Sequence, residues 1–233
     1  MSDRTAQDFW LANLGEADRF NRWVLSRFER HLGEDVLEVG CGSGNFTVLM
    51  AARGHRVTGI DIDPGYVETA RRRLAKFTGA RVTCGDATAA DWSERFDTVV
   101  ALDVVEHIEN DREFLARLAR ALKPGGKLVV KVPAGPGLMS TLDEVVGHYR
   151  RYDRRSLAAT LRAAGLAPLS LSHFNVAGTL GWWLNGKVLK RTTPPGEQVK
   201  AFEALVPLFR AAEAMVPLPF GLSLIGVAAN DAR

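Results

Sequence analysis

Within VLEVGCGSGNF, residues 36–46, a short apolar run breaks into three glycines at alternate positions, Gly40, Gly42 and Gly44. Val36, Leu37 and Val39 read as a buried strand, and the following TVLMAARG, residues 47–54, reads as a short helix stopped by Gly54. Glycine is needed where a chain reverses tightly or where backbone must come close to a ligand, because no Cβ clashes and positive φ is tolerated. Strand, glycine turn and helix N-terminus together are the parts of a nucleotide cradle.

The dinucleotide fingerprint G-x-G-x-x-G is the nearest competitor for this stretch. Here the third glycine comes one residue earlier, and an acid, Glu38, lies inside the strand just ahead of the first. An acid beside the cradle repels a diphosphate and suits a ligand carrying an ammonium or sulfonium group. The combination points to S-adenosyl-L-methionine (SAM) rather than NAD.

At 233 residues the chain is long enough for one α/β domain with a full core. Charged residues make up 24% and hydrophobic ones 46%, an ordinary globular composition. The formal net charge is +3, and the arginines cluster within residues 71–73 and 150–155 instead of forming tails. A basic stripe interleaved with aromatics is absent, so nucleic-acid binding is not expected. Cys41 and Cys84 form no C-x-x-C pair, which implies neither a disulfide framework nor structural zinc. The first ten residues lack an apolar signal region and no apolar run approaches a membrane span, so cytoplasmic residence is the expectation.

Residues 7–31 carry Phe9, Trp10, Leu14, Phe20, Trp23, Val24 and Phe28 at spacings near three and four, the mark of amphipathic helices. They are expected to pack against the edge of a sheet or to fold over the cradle. RVTGIDID, residues 56–63, is a second strand ending in Asp61, with Pro64 opening the next helix. Asp61 lies where an α/β nucleotide site needs a carboxylate for the ribose hydroxyls. A third strand, ARVTCGDA, ends in Gly85, Asp86 and Ala87; Asp86 is a candidate partner for an adenine amino group. A fourth begins at Phe96 as a continuous apolar run, after which Asp103, Glu106 and His107 follow at the strand end where ligands of parallel sheets collect. Residues 111–126 read as an amphipathic helix closed by a Pro-Gly-Gly turn, and KLVVKVPA reads as the fifth strand. The alternation forces parallel pairing and right-handed crossovers, so the fold up to residue 134 is doubly wound α/β.

As an ordered set, residues 36–132 resemble the class I SAM-dependent methyltransferases. The resemblance rests on E-x-G-x-G-x-G at residues 38–44, on Asp61, on the GDA turn at 85–87, on FDTVVALDVVEHI at 96–108 and on LKPGGKLVV at 122–130. It is similar in particular to the small-molecule enzymes of ubiquinone and menaquinone biosynthesis. The resemblance implies a seven-stranded, mostly parallel sheet whose last two strands are antiparallel, for which SHFNVAG (172–178) and LSLIGVAAN (222–230) are the candidates. A single domain follows: a helical cap over residues 1–34, a Rossmann-like core over 35–178, a helical insertion over 179–221 and the last strand over 222–233. It also implies that Asp61 holds the ribose, that Ile62 packs on adenine and that Asp86 with Ala87 reads its edge. The loop of Glu38, Gly40, Cys41, Gly42 and Gly44 and the backbone of Leu102 and Asp103 surround the methionine part, with S-adenosyl-L-homocysteine as product.

Two stretches depart from the family pattern. GHYRRYDRRSL, residues 147–157, packs His148, Tyr149, Arg150, Arg151 and Tyr152 into the loop that faces the acceptor in these enzymes. The insertion carries Trp182, Trp183, Asn185, Lys187 and a long apolar segment, and it suits a lid over a greasy acceptor, a dimer surface or contact with a membrane surface. Proton removal from a hydroxyl acceptor needs a base, for which His148 and His107 are the candidates. Tyr149, Arg150, Arg151, Tyr152, Trp182 and Trp183 are the candidate acceptor contacts, the arginines for a carboxylate or phosphate. The acids are spread among strand ends, and no metal cluster is expected. Competing classes are a protein or nucleic-acid methyltransferase, an NAD(P)-dependent oxidoreductase, and a SAM-binding module without catalysis.

Overall fold

The computed structural model describes residues 17–193, 195–215 and 219–230. A single seven-stranded sheet runs through them in the order β3-β2-β1-β4-β5-β7-β6. The strands are β1 (Asp35–Val39), β2 (Arg56–Asp61), β3 (Ala80–Cys84), β4 (Phe96–Leu102), β5 (Leu122–Pro133), β6 (Leu166–Phe174) and β7 (Ser223–Asn230). The first five pair in parallel, and β7 enters antiparallel between β5 and β6. This is the mostly parallel sheet with an antiparallel last strand that the sequence predicts.

The helices are α1 (Asp18–Ser26), α2 (Asn45–Ala51), α3 (Pro64–Leu74), α4 (Asp111–Ala119), α5 (Thr141–Val145), α6 (Arg154–Ala163), α7 (Val176–Trp182) and α8 (Gly196–Met215). Alternation along each strand sends neighbouring side chains to opposite faces of the sheet. Leu37 and Val39 of β1 join Leu115 of α4 and Leu161 of α6 on one face, whereas Val36 joins Trp23, Met50 and Phe174 on the other. Both faces are therefore covered, as a parallel sheet requires.

Three expectations are corrected. The described part of the N-terminal segment packs across a face of the sheet rather than its edge: Trp23, Val24, Leu25 and Phe28 sit in the cluster that holds Val36, Val100, Val129 and Val227. Residues 7–16 lie outside the described residues. Helix α4 ends at Ala119, five residues before the expected stop at Pro124, because the chain must return to the sheet at Leu122, opposite Phe96. The sixth strand starts at Leu166 and ends at Phe174, not at residue 178. Asn175 takes a left-handed conformation at φ 61° and its side chain accepts from Gly178 N at 2.9 Å, which turns the chain directly into α7.

Helix α8 fastens this corner. It carries Pro207 within its length, and two of its carboxylates, Glu203 and Glu213, reach the N-termini of other helices. Glu203 accepts from Arg19 N at 2.6 Å and Phe20 N at 3.2 Å, supplying the cap that α1 lacks locally; Glu213 accepts from Val176 N at 2.6 Å. Between them lies an aromatic cluster in which the rings of Trp23 and Phe174 stand 4.5 Å apart and Phe20 meets Phe202 at 5.9 Å. Because Trp23 is buried on both sides, Trp23→Ala is expected to cost about 3–5 kcal/mol of stability. Chemical denaturation checks this, and a loss near zero would show that α1 is not held by that ring.

Candidate active site

All five parallel strands end on one side of the sheet, and there a cavity of about 1450 Å³ opens, lined by the glycine loop, the ends of β2, β3 and β4, the loop after α5, and α7 and α8. The turn after β1 is built for close approach. Gly40 has φ 70°, and a Cβ there would lie 2.4 Å from Val104 Cγ2; Gly44 has φ 81°, and its Cβ would meet Ala70 Cβ at 3.1 Å. The backbone can therefore bring Gly40, Cys41 and Gly42 to the cavity wall without side chains between.

Asp61 fixes the loop and faces the cavity at once. Its Oδ2 accepts from Gly42 N at 2.8 Å and its Oδ1 from Asp63 N at 3.0 Å, which leaves each oxygen a lone pair for a ligand hydroxyl. Ile62, Asp86 and Ala87 line the adjoining wall, where Ile62 stands 77% exposed. Asp103 sits at φ 54°, an uncommon conformation for a non-glycine residue, and is held there by Lys131 Nζ at 2.6 Å from its Oδ1. The cradle residues Glu38, Gly40, Cys41 and Gly42, with Leu102 and Asp103, are thus brought together along one half of the cavity, whereas Gly44 packs against Ala70 outside its lining.

Glu38 is fully buried beneath the loop and accepts from the Thr47 hydroxyl. Burial pushes its carboxyl up to about 8, and Asp61 nearby adds to the rise. A cation arriving above the loop favours the ionised form. The same shift has a consequence for stability. The folded chain holds a proton that the unfolded chain, with an ordinary carboxyl near 4.5, has released, so stability falls as pH rises between about 4.5 and 8. Glu38→Gln removes that dependence: its melting temperature is expected to gain on wild type from pH 5 to pH 8. A constant difference across that range would mean that Glu38 is ionised in the free protein.

The other half of the cavity is organised by Asp143. This carboxylate is completely buried on α5, where it forms a capping box with Ser140. Its Oδ1 accepts from His148 Nδ1 and from Arg151 Nε, both at 2.8 Å, and its Oδ2 from Trp182 Nε1 at 3.3 Å. Burial works against its charge, but the hydrogen bond from His148 and the charge of Arg151 hold it below the usual carboxylate range. With Nδ1 tied down, His148 presents Nε2 to the cavity. His107 lies beside it, ring centroids 4.7 Å apart, and burial with the neighbouring His148 lowers it to about 4.

The six candidate acceptor contacts separate. Arg151 and Trp182 line the cavity, but the Arg151 guanidinium is consumed by Asp143 and by the Ala134 carbonyl at 2.9 Å, leaving no free charge for an anionic acceptor. Tyr149, Arg150, Tyr152 and Trp183 lie outside its lining. Tyr152 is core, donating to Asp111 Oδ2 at 2.8 Å; Arg150 pairs with the same carboxylate at 2.9 Å and with the Glu109 carbonyl; Tyr149 is exposed under the Arg150 guanidinium. The reason is backbone geometry: Tyr152 bridges to Ala134 beside β5, and in that extended stretch successive side chains cannot all face one way. Trp183 opens a π-helical turn, Trp183–Val188, and faces a separate apolar groove with Leu138 and Phe209.

Residues not assigned to the site from sequence complete the wall. Asn185 is buried in the π turn and donates to Gln198 Oε1 and the Gly181 carbonyl, both at 2.9 Å; Phe20, Val199 and Phe202 close the cavity from α1 and α8. No metal cluster is expected from the sequence, yet one group of possible ligands comes together among the described residues. Glu106, His107 and His148 each offer a ligand atom within 4.8 Å of one another, brought together by a 3-10 turn and a loop some forty positions later.

A glycine cradle at the end of the first strand, an acid on the second and a reversed seventh strand define a class I methyltransferase. Comparison with known proteins agrees. Residues 37–130 match the methyltransferase domain family. The chain is 43% identical over 100 residues to a demethylmenaquinone methyltransferase of Tropheryma whipplei, covering 42% of this chain and 41% of that one. It is 34% identical over 160 residues to a ubiquinone biosynthesis O-methyltransferase of Xanthomonas euvesicatoria, covering 62% and 66%. The matched stretch thus spans between two fifths and two thirds of these relatives. The phosphoethanolamine N-methyltransferase 2 of Haemonchus contortus, solved with SAM, superposes with a TM-score of 0.63 at 18% identity over 91% of this chain and 52% of that one. The chain belongs to the class I SAM-dependent methyltransferases.

Proposed function

We propose that this chain transfers a methyl group from SAM to the oxygen of a small, uncharged and largely apolar acceptor. The observation that carries the reading is one continuous cavity with the glycine cradle and Asp61 at one end and the Asp143–His148 pair at the other. Its volume, about 1450 Å³, exceeds the range of ordinary single-ligand pockets and suits two molecules side by side.

When bound, SAM supplies an electrophilic methyl group on a sulfonium. The protein's part is to bind, align, dry the site and take a proton. Asp61 receives the ribose hydroxyls, Ile62 covers the adenine face, and Asp86 with Ala87 meets its edge. The acids around the loop, Glu38, Asp61 and Asp103, favour the positively charged donor over its neutral thioether product. His148, aimed by Asp143, takes the acceptor's hydroxyl proton on Nε2. An uncharged amine needs no such pair, so the dyad favours oxygen. With Arg150 and Arg151 both committed to internal carboxylates, recognition of the acceptor falls to apolar groups and to amides such as Asn185. The O-methylation named for the Xanthomonas relative accords with this chemistry. The insertion lends its inner side to this wall and turns Leu180, Trp183 and Leu208 outward, which supports contact with a second apolar surface.

Calorimetric titration with S-adenosyl-L-homocysteine, run beside NADH, tests the cofactor. Binding of the thioether alone is expected, weakened by about 1.5–3 kcal/mol in Asp61→Asn as charge-assisted hydrogen bonds are lost. NADH binding without a response to the thioether would overturn the reading. Once a hydroxylated acceptor is found with labelled SAM, His148→Ala is expected to lower kcat/KM by about 10²–10⁴ with the thioether affinity unchanged. An unaffected rate would remove His148 from the chemistry.

A further inference from the structure

Glu106 is a carboxylate without a use in methyl transfer. It is fully buried, and neither oxygen has a hydrogen-bond partner beyond the approach of its own backbone N–H. The cations near it are spent elsewhere: Lys131 holds Asp103, and Arg151 holds Asp143. An unsatisfied buried carboxylate is costly, and proteins resolve such cost by a partner or a metal ion.

The groups around it are those of a metal centre. His148 Nε2 stands 3.9 Å from Glu106 Oε1, and the His107 ring lies edge-on to that of His148, so that one donor atom from each of the three residues lies within 4.8 Å of the others. The outer supports are already in place. Asp143 accepts from His148 Nδ1 at 2.8 Å, and the His107 ring hydrogen-bonds to the backbone at Val146 and Gly147. A metal-binding histidine almost always gives its second nitrogen to such an acceptor, which fixes the tautomer and the ring plane.

We propose that Glu106, His107 and His148 bind one zinc-type divalent cation. Two imidazoles and a carboxylate suit borderline transition ions and not magnesium or calcium, which prefer oxygen. Three protein ligands leave a coordination position open toward the cavity. Ligands at about 2.1 Å from a tetrahedral ion lie roughly 3.4 Å apart, so the cluster draws in by roughly an ångström on loading. Glu106 can supply that movement, because no side-chain donor holds its carboxylate. A bound cation occupies the Nε2 lone pair that the proposed base requires, so loading and proton removal compete. That last consequence rests on the methyl-transfer reading; the binding itself does not.

The test uses the full chain, stripped with chelator and then titrated with zinc against a chromophoric competitor, and separately with cobalt followed by visible absorption. One equivalent of zinc and a visible cobalt band are expected, with affinity at least tenfold weaker in Glu106→Gln and in His107→Ala. Asp143→Asn, which touches only the outer support, is expected to weaken binding about 10–100-fold. Glu106→Gln keeps the side chain's volume and removes the carboxylate ligand, and its retained binding of S-adenosyl-L-homocysteine would certify the fold and the cofactor half independently. No stoichiometric binding by wild type, or zinc affinity unchanged in a folded Glu106→Gln, would overturn the proposal.

Discussion

A carboxylate buried beyond the reach of water must collect donors or be expelled, and Asp143 shows how much structure one such group can command. Its oxygens receive the Ser140 backbone at the head of α5, the His148 ring five positions on, the Arg151 guanidinium and the Trp182 indole from the far side of the insertion. Three segments, the head of α5, the loop of His148 and Arg151, and α7, are thereby fixed to one point. Arg151 carries the constraint further, to the carbonyl of Ala134 where β5 ends. The acceptor half of the cleft is consequently a single electrostatic unit, and the orientation of His148 follows from it.

The cofactor half is held differently. There the forces are steric and main-chain: a glycine turn with no room for a Cβ, the Ile60 carbonyl receiving Gly40 N and Cys41 N, and Asp61 closing the loop onto the second strand. Such features are local in sequence, which is why the cradle, the strands from β1 to β5 and the acid on β2 could be read directly from residue patterns. Glycines at alternate positions and apolar runs of strand length report backbone geometry without needing to know what packs on them.

The acceptor half was harder to read because its determinants are long-range. The stretch GHYRRY reads as a cluster of contacts, yet in space it divides into an inward histidine and arginine, an outward tyrosine and arginine, and a tyrosine in the core. That division is imposed by the Ala134–Tyr152 bridge and by Asp111 and Asp143, whose roles no periodicity announces. One local signal did exist: Ser140-Thr-Leu-Asp143 matches a capping box, and the box marks the aspartate. Nothing comparable marks Glu106, whose neighbour His148 is brought in only by the fold. The end of β6 was likewise hidden, since a left-handed asparagine is a matter of one residue's conformation.

The position of β7 sets an order of events. It is the last strand in sequence but lies inside the sheet, between β5 and β6, and it registers against both along its length. Until residues 223–230 have left the ribosome, β5 and β6 have no common partner, and Leu222 and Ser223 are missing from the cavity wall. The glycine turn and the acid that closes it come from residues 40–61, whereas the chamber beside them is completed by Leu222 and Ser223. The glycine cradle and the chamber beside it are therefore separated along the chain as well as in space.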